Sequence, residues 1–336
     1  MKRLMAVLVF AALVAASAPA NARTGANAAA SVGSLVYVKG GNVWVARPDG
    51  ASRHRVTRDG RRRPRYDHPS QADNGTIVAL RGTDLHRFAR GGRRLGKPRR
   101  VSAGLAGPGS LHEIAEGSEV SPDGRRVALY KTLLQGTYDP NTGRDGLTIL
   151  SVTVEYRSAS TGKRLRELHS PGDYYQSPSW IGNGRLLVFA PFNSYAPQVF
   201  VDTLGGSTEG WFADEHGGEA DPFGRQVLDD GELTRAGDRL AMVRGTNVQG
   251  DSAGATFEID SVASLAEVPV PLCTFRPPGS GPFSGPSWSP DGSSIAWSNG
   301  AGVWTARLNP SGGDCGTTPR LVVRGGRLPD WGPRGT

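Results

Sequence analysis

The stretch "PSWSPDGSSIAWSNGAGVWTARL", residues 286–308, carries the pattern that decides the fold. It divides into a short lead (PSW), a turn (SPDG), an apolar strand (SSIAW) and a second strand (GVWTARL). Ser at the first turn position, Pro with its fixed φ at the second and Gly at the fourth are typical of a type I turn. The stretch therefore predicts a β-hairpin that is followed by a further strand.

Variants of this pattern recur along the chain. They read "PSQADNGTIVAL" (69–80), "GSEVSPDGRRVALY" (117–130), "SPSWIGNGRLLVF" (177–189) and "GELTRAGDRLAMV" (231–243). A sixth copy is split: "SLVYVKGGNVWVARPDG" begins at Ser34 without a lead, and "LPDWGP", residues 328–333, supplies a lead at the other end. The apolar positions that the turn glycines align are spaced by 43 to 60 residues and are Leu35, Val78, Val127, Leu187, Leu240 and Ile295.

Repeats of this length are typical of β-propeller blades, which have about 40 to 50 residues and four strands each. The sequence therefore predicts an all-β, six-bladed propeller over residues 33–336, in which Asp330 and Trp331 supply the inner strand of the blade that begins at Ser34. Five or seven blades are the alternatives. An all-β sandwich also has many short strands, but it does not explain one recurring turn pattern.

The first 22 residues have the features of a secretory signal peptide. Lys2 and Arg3 are positively charged, residues 4–16 are apolar, and Ala20-Asn21-Ala22 fits a cleavage site. An uncleaved anchor is the alternative, although a membrane span usually needs about 20 apolar residues. We therefore expect residues 23–32 to be a linker and the mature chain to be secreted or extracytoplasmic, in the cell envelope, without a further transmembrane segment.

The motifs at 286–308 and 117–130 resemble the propeller repeats of the TolB family, whose units carry a Pro-x-Trp-Ser-Pro-Asp-Gly lead and turn. The resemblance covers residues 33–333 and implies an exported propeller that is used for binding. Barely ten residues separate the predicted cleavage site from Ser34, so the α/β domain that precedes the propeller in TolB itself has no room here. Functions of that domain are not implied.

The two cysteines, Cys273 and Cys315, are expected to form a disulfide, because an exported protein meets an oxidising compartment. Two buried free thiols are the alternative. Neither cysteine has the spacing of a zinc or redox motif.

The formal net charge is +8, and the excess is concentrated between residues 53 and 100. An excess of this kind attracts polyanions; for an exported protein these are envelope polymers or anionic lipids rather than nucleic acid. A solvated basic surface without a dedicated partner is the alternative. The candidate anion-binding residues are Arg61, Arg62, Arg63, Arg65, Arg93, Arg94, Arg99 and Arg100.

The residues just before the Trp position of each lead are expected to line the central channel, because the innermost strand of a blade faces it. These ligand-binding candidates are Ser70, Glu119, Ser179, Glu232, Ser287 and Asp330. Three carboxylates and three hydroxyls suit a calcium or magnesium ion better than zinc. The alternative is a water-filled channel whose carboxylates bind backbone N–H groups, without a cofactor.

Common catalytic signatures are missing from the sequence. It has no G-x-S-x-G elbow, and "HEIAE" at His112 lacks the second histidine of a zinc helix. We therefore predict a non-enzymatic, monomeric module that binds a protein or an anionic envelope polymer. The alternative is a carbohydrate-active enzyme with its site in the channel, by analogy with oligogalacturonate lyases, which resemble TolB propellers and use a metal and a histidine; only His68 is available for that role. A structural module of an envelope complex is a third reading.

Overall fold

The computed structural model describes residues 32–104, 111–139, 144–168, 175–190, 199–213, 227–245, 255–279 and 283–333. The predicted signal peptide and residues 23–31 of the predicted linker lie outside this part of the chain. The described residues form strands, turns and loops without a helix, which confirms the all-β prediction. Consequently they contain no helix with the length and hydropathy of a membrane span.

The strands form six sheets, which are the blades, numbered here from the one that contains the first strand; all pairings among these strands are antiparallel except one in blade 5. Blade 1 contains β25 (Arg327–Gly332), β1 (Ser34–Lys39), β2 (Asn42–Ala46) and β3 (His54–Arg55). Blade 2 contains β4 (Tyr66–Gln71), β5 (Thr76–Arg81), β6 (Asp84–Ala89) and β7 (Arg99–Arg100). Blade 3 contains β8 (Leu111–Val120), β9 (Arg126–Asp139), β10 (Arg144–Ser158) and β11 (Arg164–Leu168).

The second half of the ring repeats this arrangement with one addition. Blade 4 contains β12 (Gln176–Ile181), β13 (Arg185–Phe189), β14 (Val199–Thr203) and β15 (Thr208–Phe212). Blade 5 contains β16 (Val227–Leu233), β17 (Arg239–Gly245), β18 (Thr256–Ser261) and β19 (Val270–Phe275), with β23 (Gly313–Asp314) as a fifth strand that pairs parallel with β19. Blade 6 contains β20 (Ser287–Trp288), β21 (Ser294–Asn299), β22 (Gly302–Arg307) and β24 (Arg320–Arg324). The six-bladed prediction is confirmed.

The ring closes in blade 1 as the split repeat predicts. Strand β25 pairs antiparallel with β1, so that Trp331 is opposite Leu35 and Asp330 is opposite Val36. The Trp331 indole N–H donates a hydrogen bond to the carbonyl of Val32 at 2.9 Å. The first and last described segments therefore form one sheet.

The turn chemistry explains why Ser-Pro-Asp-Gly recurs. In blade 6 the Ser289 hydroxyl donates to Asp291 at 2.6 Å and accepts the backbone N–H of Ser294 at 2.9 Å. The Gly292 N–H donates to the Ser289 carbonyl at 2.8 Å, which closes the turn. The same bonds form around Ser121 and Asp123 in blade 3. Each turn therefore satisfies its own backbone and fixes the register of the two strands that it joins.

The core consists of apolar clusters between neighbouring blades. The six apolar positions aligned from the sequence are all fully buried. Four of them face the preceding blade, but Val78 and Leu187 face the following blade instead. The strand pairing shows the reason. The residue opposite the Trp position of the inner strand is Ile77 in blade 2 and Leu186 in blade 4, one residue before the aligned positions. The turn in these blades is one residue shorter, and a slip of one residue reverses the face of a side chain. Aligning these two copies on the turn glycine was wrong by one position.

The two ends of the ring differ. At one end, the turn face, the innermost strand of each blade turns into the second strand through the short segments 72–75, 121–125, 182–184, 234–238 and 289–293. These turns are joined to one another: Asn74 donates to the carbonyl of Asp123, and the N–H of Asp123 donates to Asn183 at 2.8 Å. At the other end, the entry face, the innermost strands begin. The described connections at the entry face include the long segment 56–65.

The hairpin of β9 and β10 lengthens blade 3 at the entry face. Its strands contain 14 and 15 residues. They remain paired from Arg126 and Ser158 to Asp139 and Arg144. Near its end the side chains of Leu111 and Ile149 are 57% and 53% exposed. The entry face therefore carries a projecting sheet with apolar side chains, whereas the turn face has short, mutually bonded turns.

The predicted disulfide is present between Cys273 and Cys315, which are separated by 42 residues. Both cysteines are buried in the core between blades 5 and 6. Since a cross-link lowers the entropy of the unfolded chain, replacing both by Ala is expected to lower the free energy of unfolding by about 4 kcal/mol or slightly less. Urea denaturation with and without a reducing agent measures this, and reductant should leave the double variant unchanged. An equal response of both proteins to reductant would contradict it.

Candidate functional site

The six predicted channel residues lie around one cavity. Ser70, Glu119, Ser179, Glu232, Ser287 and Asp330 all line a cavity of about 330 Å³ that opens at the entry face. Ser70, Glu119, Glu232 and Asp330 also line a second cavity, of about 480 Å³, that opens at the turn face. These six residues are called the channel ring below. The structure thus brings together the residues that the sequence aligned, at the junction of the two mouths.

Carboxylates and hydroxyls alternate strictly around the channel ring. From blade 1 to blade 6 the order is Asp330, Ser70, Glu119, Ser179, Glu232 and Ser287. The three serines are buried, and the three carboxylates are partly accessible to water inside the channel. The alternation places a hydroxyl between each pair of carboxylates, which separates like charges and supplies hydrogen-bond donors.

The channel ring joins each blade to the next through hydrogen bonds. Each bond is donated by the backbone N–H at the Trp position of the following blade. The N–H of Gln71 donates to Asp330 at 2.6 Å, and that of Val120 donates to Ser70 at 3.0 Å. Three more bonds follow the same rule: Trp180 to Glu119 at 3.3 Å, Trp288 to Glu232 at 3.4 Å, and Trp331 to Ser287 at 2.9 Å. A structural role for these side chains, the alternative foreseen from the sequence, therefore has direct geometric support.

Ser179 departs from this rule. Its hydroxyl is buried and has no hydrogen-bond partner among the described residues. Ser70 and Ser287 by contrast hydrogen-bond to the carboxylates of Asp330 and Glu232. A buried hydroxyl without a hydrogen bond lowers the stability of the fold. The channel ring therefore has an unused hydrogen-bonding group at blade 4, where Ser179 lines the entry cavity.

Burial and mutual repulsion alter the acidity of the channel ring. Burial, together with the charges of Glu232 and Asp330, holds the pKa of Glu119 well above its ordinary value. Burial and the charge of Asp330 raise the pKa of Glu232 to about 8. Burial raises the pKa of Asp330 to about 6, partly offset by hydrogen bonds from Ser70 and Gln71. The ring therefore holds protons at neutral pH and carries less charge than three free carboxylates.

The sequence analysis named calcium or magnesium as an ion that the channel ring could bind. In the part of the chain that the structure describes, no group of three or more His, Cys, Asp or Glu side chains is arranged to hold a metal. The carboxylates instead accept backbone N–H groups of neighbouring blades. The geometry therefore favours a structural role, in which the carboxylates join neighbouring blades, over a role as metal ligands.

A second circle of residues, which the sequence analysis missed, forms the entry mouth. It lies two positions before the channel ring and contains His68, Gly117, Ser177, Asp230, Gly285 and Leu328. His68, Ser177 and Leu328 have positive φ values of 43°, 48° and 51°. The sheet register shifts at this point in five inner strands. Such bulges direct side chains towards a site. The glycines at two of the six positions were the available sequence signal.

The entry mouth is acidic. Glu116 and Asp230 line it together with the ring carboxylates, and its lining includes no Lys or Arg within the part of the chain that the structure describes. His68 also lines it, and burial lowers the pKa of that imidazole, so it is neutral at pH 7. The imidazole Nδ1 is buried without a hydrogen-bond partner among the described residues. The turn-face mouth differs because Arg185 and Arg235 line it.

The predicted basic residues lie on two segments of the chain that differ in their partners. Arg61, Arg62, Arg63 and Arg65 are exposed on the connection between β3 and β4. The others lie on β7 or on the connection that precedes it, and most have partners. Arg94 pairs with Asp59 at 3.0 Å. Arg99 and Arg100 donate to the backbone carbonyls of Ser160 and Ser102. Arg93 is exposed on the same connection as Arg94.

Comparison with solved structures places this fold among TolB-like propellers. No protein-family model and no curated protein matches the sequence. TolB from Acinetobacter baumannii is 15% identical, with a TM-score of 0.51 over 90% of this chain and 67% of that chain. A TolB candidate from Agrobacterium tumefaciens is 11% identical, with a TM-score of 0.50 over 90% and 93%. A Lactobacillus plantarum protein is 10% identical, with a TM-score of 0.52 over 89% and 99%. The chain thus has a TolB-like six-bladed propeller fold, and similarity at this level establishes the fold alone.

Proposed function

We propose that the protein is a non-enzymatic, extracytoplasmic binding module whose entry mouth receives a positively charged segment of a protein partner. The observation that carries the proposal is the lining of this cavity, which has carboxylates from several blades and, among the residues that the structure describes, no cationic side chain. A volume of about 330 Å³ accommodates a side chain or chain end rather than a folded domain. The disulfide is in keeping with an oxidising compartment outside the cytoplasm.

Two unsatisfied groups support a ligand at this mouth. Ser179 is 5% exposed, and its hydroxyl has no partner among the described residues. Nδ1 of His68 also has no hydrogen-bond partner within that part of the chain, and the nearest carboxylate oxygen, of Asp67, is 3.8 Å away. A lysine or arginine head group brings several N–H donors, which can bind these two acceptors and the carboxylate of Glu116 together.

The lining also argues against the polysaccharide lyase alternative. Substrates of such enzymes carry a carboxylate on each sugar, which the carboxylates of Glu116 and Asp230 would repel. Among the described lining residues of this mouth, His68 is the one histidine, and no arginine accompanies it there. The mouth therefore suits a cationic ligand better than an anionic sugar.

A peptide-binding measurement tests the proposal. Hexalysine is expected to bind the protein in low salt, and the double variant Glu116→Gln/Asp230→Asn should bind about thirtyfold more weakly, since each of the two lost charges removes roughly 1 kcal/mol at a partly hydrated site. The control is Asp84→Asn/Glu209→Gln, which removes the same charges from outer strands. Isothermal titration calorimetry provides the affinities.

Two results would overturn the proposal. Equal affinities of the mouth variant and the control variant would show that hexalysine responds to net charge alone. Turnover of an uronate oligosaccharide with added calcium, abolished by His68→Ala, would establish the enzymatic alternative instead.

A further inference from the structure

The connection between β3 and β4 presents the densest charge on the described surface. Arg61, Arg62, Arg63 and Arg65 are exposed within five consecutive residues. Within the described part of the chain, none of the four makes a side-chain hydrogen bond or ion pair. Their guanidinium groups are therefore available to a ligand. This segment, residues 61–65, is called the arginine loop below.

Nearby acidic side chains do not neutralise the arginine loop, because other arginines already occupy them. Asp59 pairs with Arg81 at 2.6 Å and with Arg94 at 3.0 Å. Asp67 pairs with Arg327 at 3.2 Å. The positive charge of the loop is consequently uncompensated. On a surface that stabilises the fold through ion pairs, these arginines would instead be paired with carboxylates.

The ends of the arginine loop are fixed to the blades. The backbone N–H of Gly60 donates to the side-chain oxygen of Asn42 at 2.9 Å, and the N–H of Tyr66 donates to the carbonyl of Gly41 at 3.0 Å. Arg81 donates to the carbonyl of Pro64 at 3.0 Å. Gly41 has a φ of 75°, and a Cβ there would lie 2.3 Å from the carbonyl oxygen of Gly60. The loop is thus held before any ligand binds, which lowers the entropic cost of binding.

A groove runs beside the loop. It has a volume of about 530 Å³ and is lined by Arg63, Pro64, Arg65, Asp67 and Arg327. We propose that the arginine loop and this groove bind a flexible polymer with an oxyanion, phosphate or carboxylate, on each repeat. Guanidinium groups bind both oxyanions through paired N–H donors. The groove shares no lining residue with the entry mouth, although Asp67 directly precedes His68 of the mouth, and this proposal does not depend on the proposed function.

A polymer fits this surface better than a membrane does. Anchoring at a membrane surface usually combines basic residues with apolar side chains that enter the lipid. Residues 58–67 contain no exposed Leu, Ile, Val, Phe or Trp. The large exposed apolar side chains of the described chain lie elsewhere, for example at Leu111, Ile149 and Val270. The arginine loop therefore offers charge without an insertion surface.

The test compares two variants with the same change in net charge. The loop variant replaces Arg61, Arg62, Arg63 and Arg65 with Gln. The control variant replaces the exposed arginines of blade 6 and its neighbourhood with Gln: Arg276, Arg307, Arg320 and Arg324. Inorganic polyphosphate, polygalacturonate and vesicles of phosphatidylglycerol are the probes. Fluorescence anisotropy measures polymer binding, and sedimentation with the vesicles measures lipid binding.

We expect the loop variant to lose at least tenfold in affinity for one of the polymers, and the control to lose less than threefold. The polymer that responds identifies the oxyanion. Substitution of the four arginines by Lys should restore only part of the affinity, because an ammonium cannot form the paired contacts. Equal losses in both variants, no binding of either polymer, or binding to vesicles alone would each overturn the proposal. Thermal denaturation confirms that both variants fold.

Discussion

Deletion of residues 327–336 is expected to prevent stable folding of the propeller. The deletion removes β25, and with it the inner strand of blade 1 and the partner of β1. It also removes the Asp330 carboxylate that accepts the N–H of Gln71 in blade 2, and the Trp331 N–H that donates to Ser287 in blade 6. Blade 1 would thus lose these hydrogen bonds to both neighbours, and the open edge of β1 would expose unpaired backbone groups.

A single substitution measures the same closure in a protein that still folds. Trp331 is 2% exposed and packs in the core between blades 6 and 1, so Trp331→Ala should lower the free energy of unfolding by roughly 3 to 5 kcal/mol. Trp211→Ala is the control, because Trp211 lies on the outer strand of blade 4 and is only partly buried. Its effect should be much smaller. Chemical denaturation monitored by circular dichroism provides both values.

The closure hypothesis fails on two observable outcomes. A truncated protein whose melting temperature matches that of the full chain would show that β25 is dispensable. Equal effects of Trp331→Ala and Trp211→Ala would show that the first tryptophan acts as an ordinary buried side chain rather than at a joint of the ring.

The repeats made the ring predictable because each copy contains its own turn. Ser289 and Asp291 bind the backbone of their own turn, so six consecutive residues, 289–294, determine the register of that hairpin. The split copy, with its lead at one end of the chain and its strands at the other, likewise predicted that the ring closes in blade 1. The equivalence of Val78 and Leu187 was wrong because the alignment assumed turns of equal length. A sequence pattern cannot show that a turn is one residue shorter when Gly still ends it.

The candidate site was only half predictable. Alignment identified the channel ring, because its residues precede the Trp position in every copy. It could not identify the entry mouth, since His68 and Asp230 are directed there by bulges that leave no shared residue type. Alignment also could not show that Arg94, unlike the arginine loop, forms an ion pair. Its partner Asp59 lies in a segment that is distant in the sequence.

The channel ring should make the stability of the protein fall as the pH rises. The pKa of Glu232 is raised from 4.5 to about 8 in the folded protein, so the folded state retains a proton that the unfolded chain releases. The stability that this proton provides is fully present below pH 4.5 and is lost as the pH rises through 8. Asp330 acts in the same direction, with a pKa raised from 3.8 to about 6.

Glu232→Gln is expected to remove much of this pH dependence. The amide keeps the shape and an acceptor oxygen for the N–H of Trp288, but it does not ionise. Its stability relative to wild type should rise between pH 5 and pH 9 by on the order of 5 kcal/mol at most, since one pKa unit corresponds to about 1.4 kcal/mol. Glu209→Gln, on the outer strand β15, is the control and should follow wild type. Urea denaturation across this pH range measures the difference.

Addition of calcium at pH 9 separates the two roles that the ring can have. If the ring carboxylates only join neighbouring blades, 5 mM calcium should leave the free energy of unfolding of wild type unchanged, within about 0.5 kcal/mol. Each carboxylate then already accepts a backbone N–H. A cation site predicts stabilisation of wild type that Glu119→Gln/Glu232→Gln abolishes. Parallel pH profiles of wild type and Glu232→Gln would contradict the raised pKa of Glu232, since a carboxylate that ionises at no cost to the folded ring produces no difference between the two proteins.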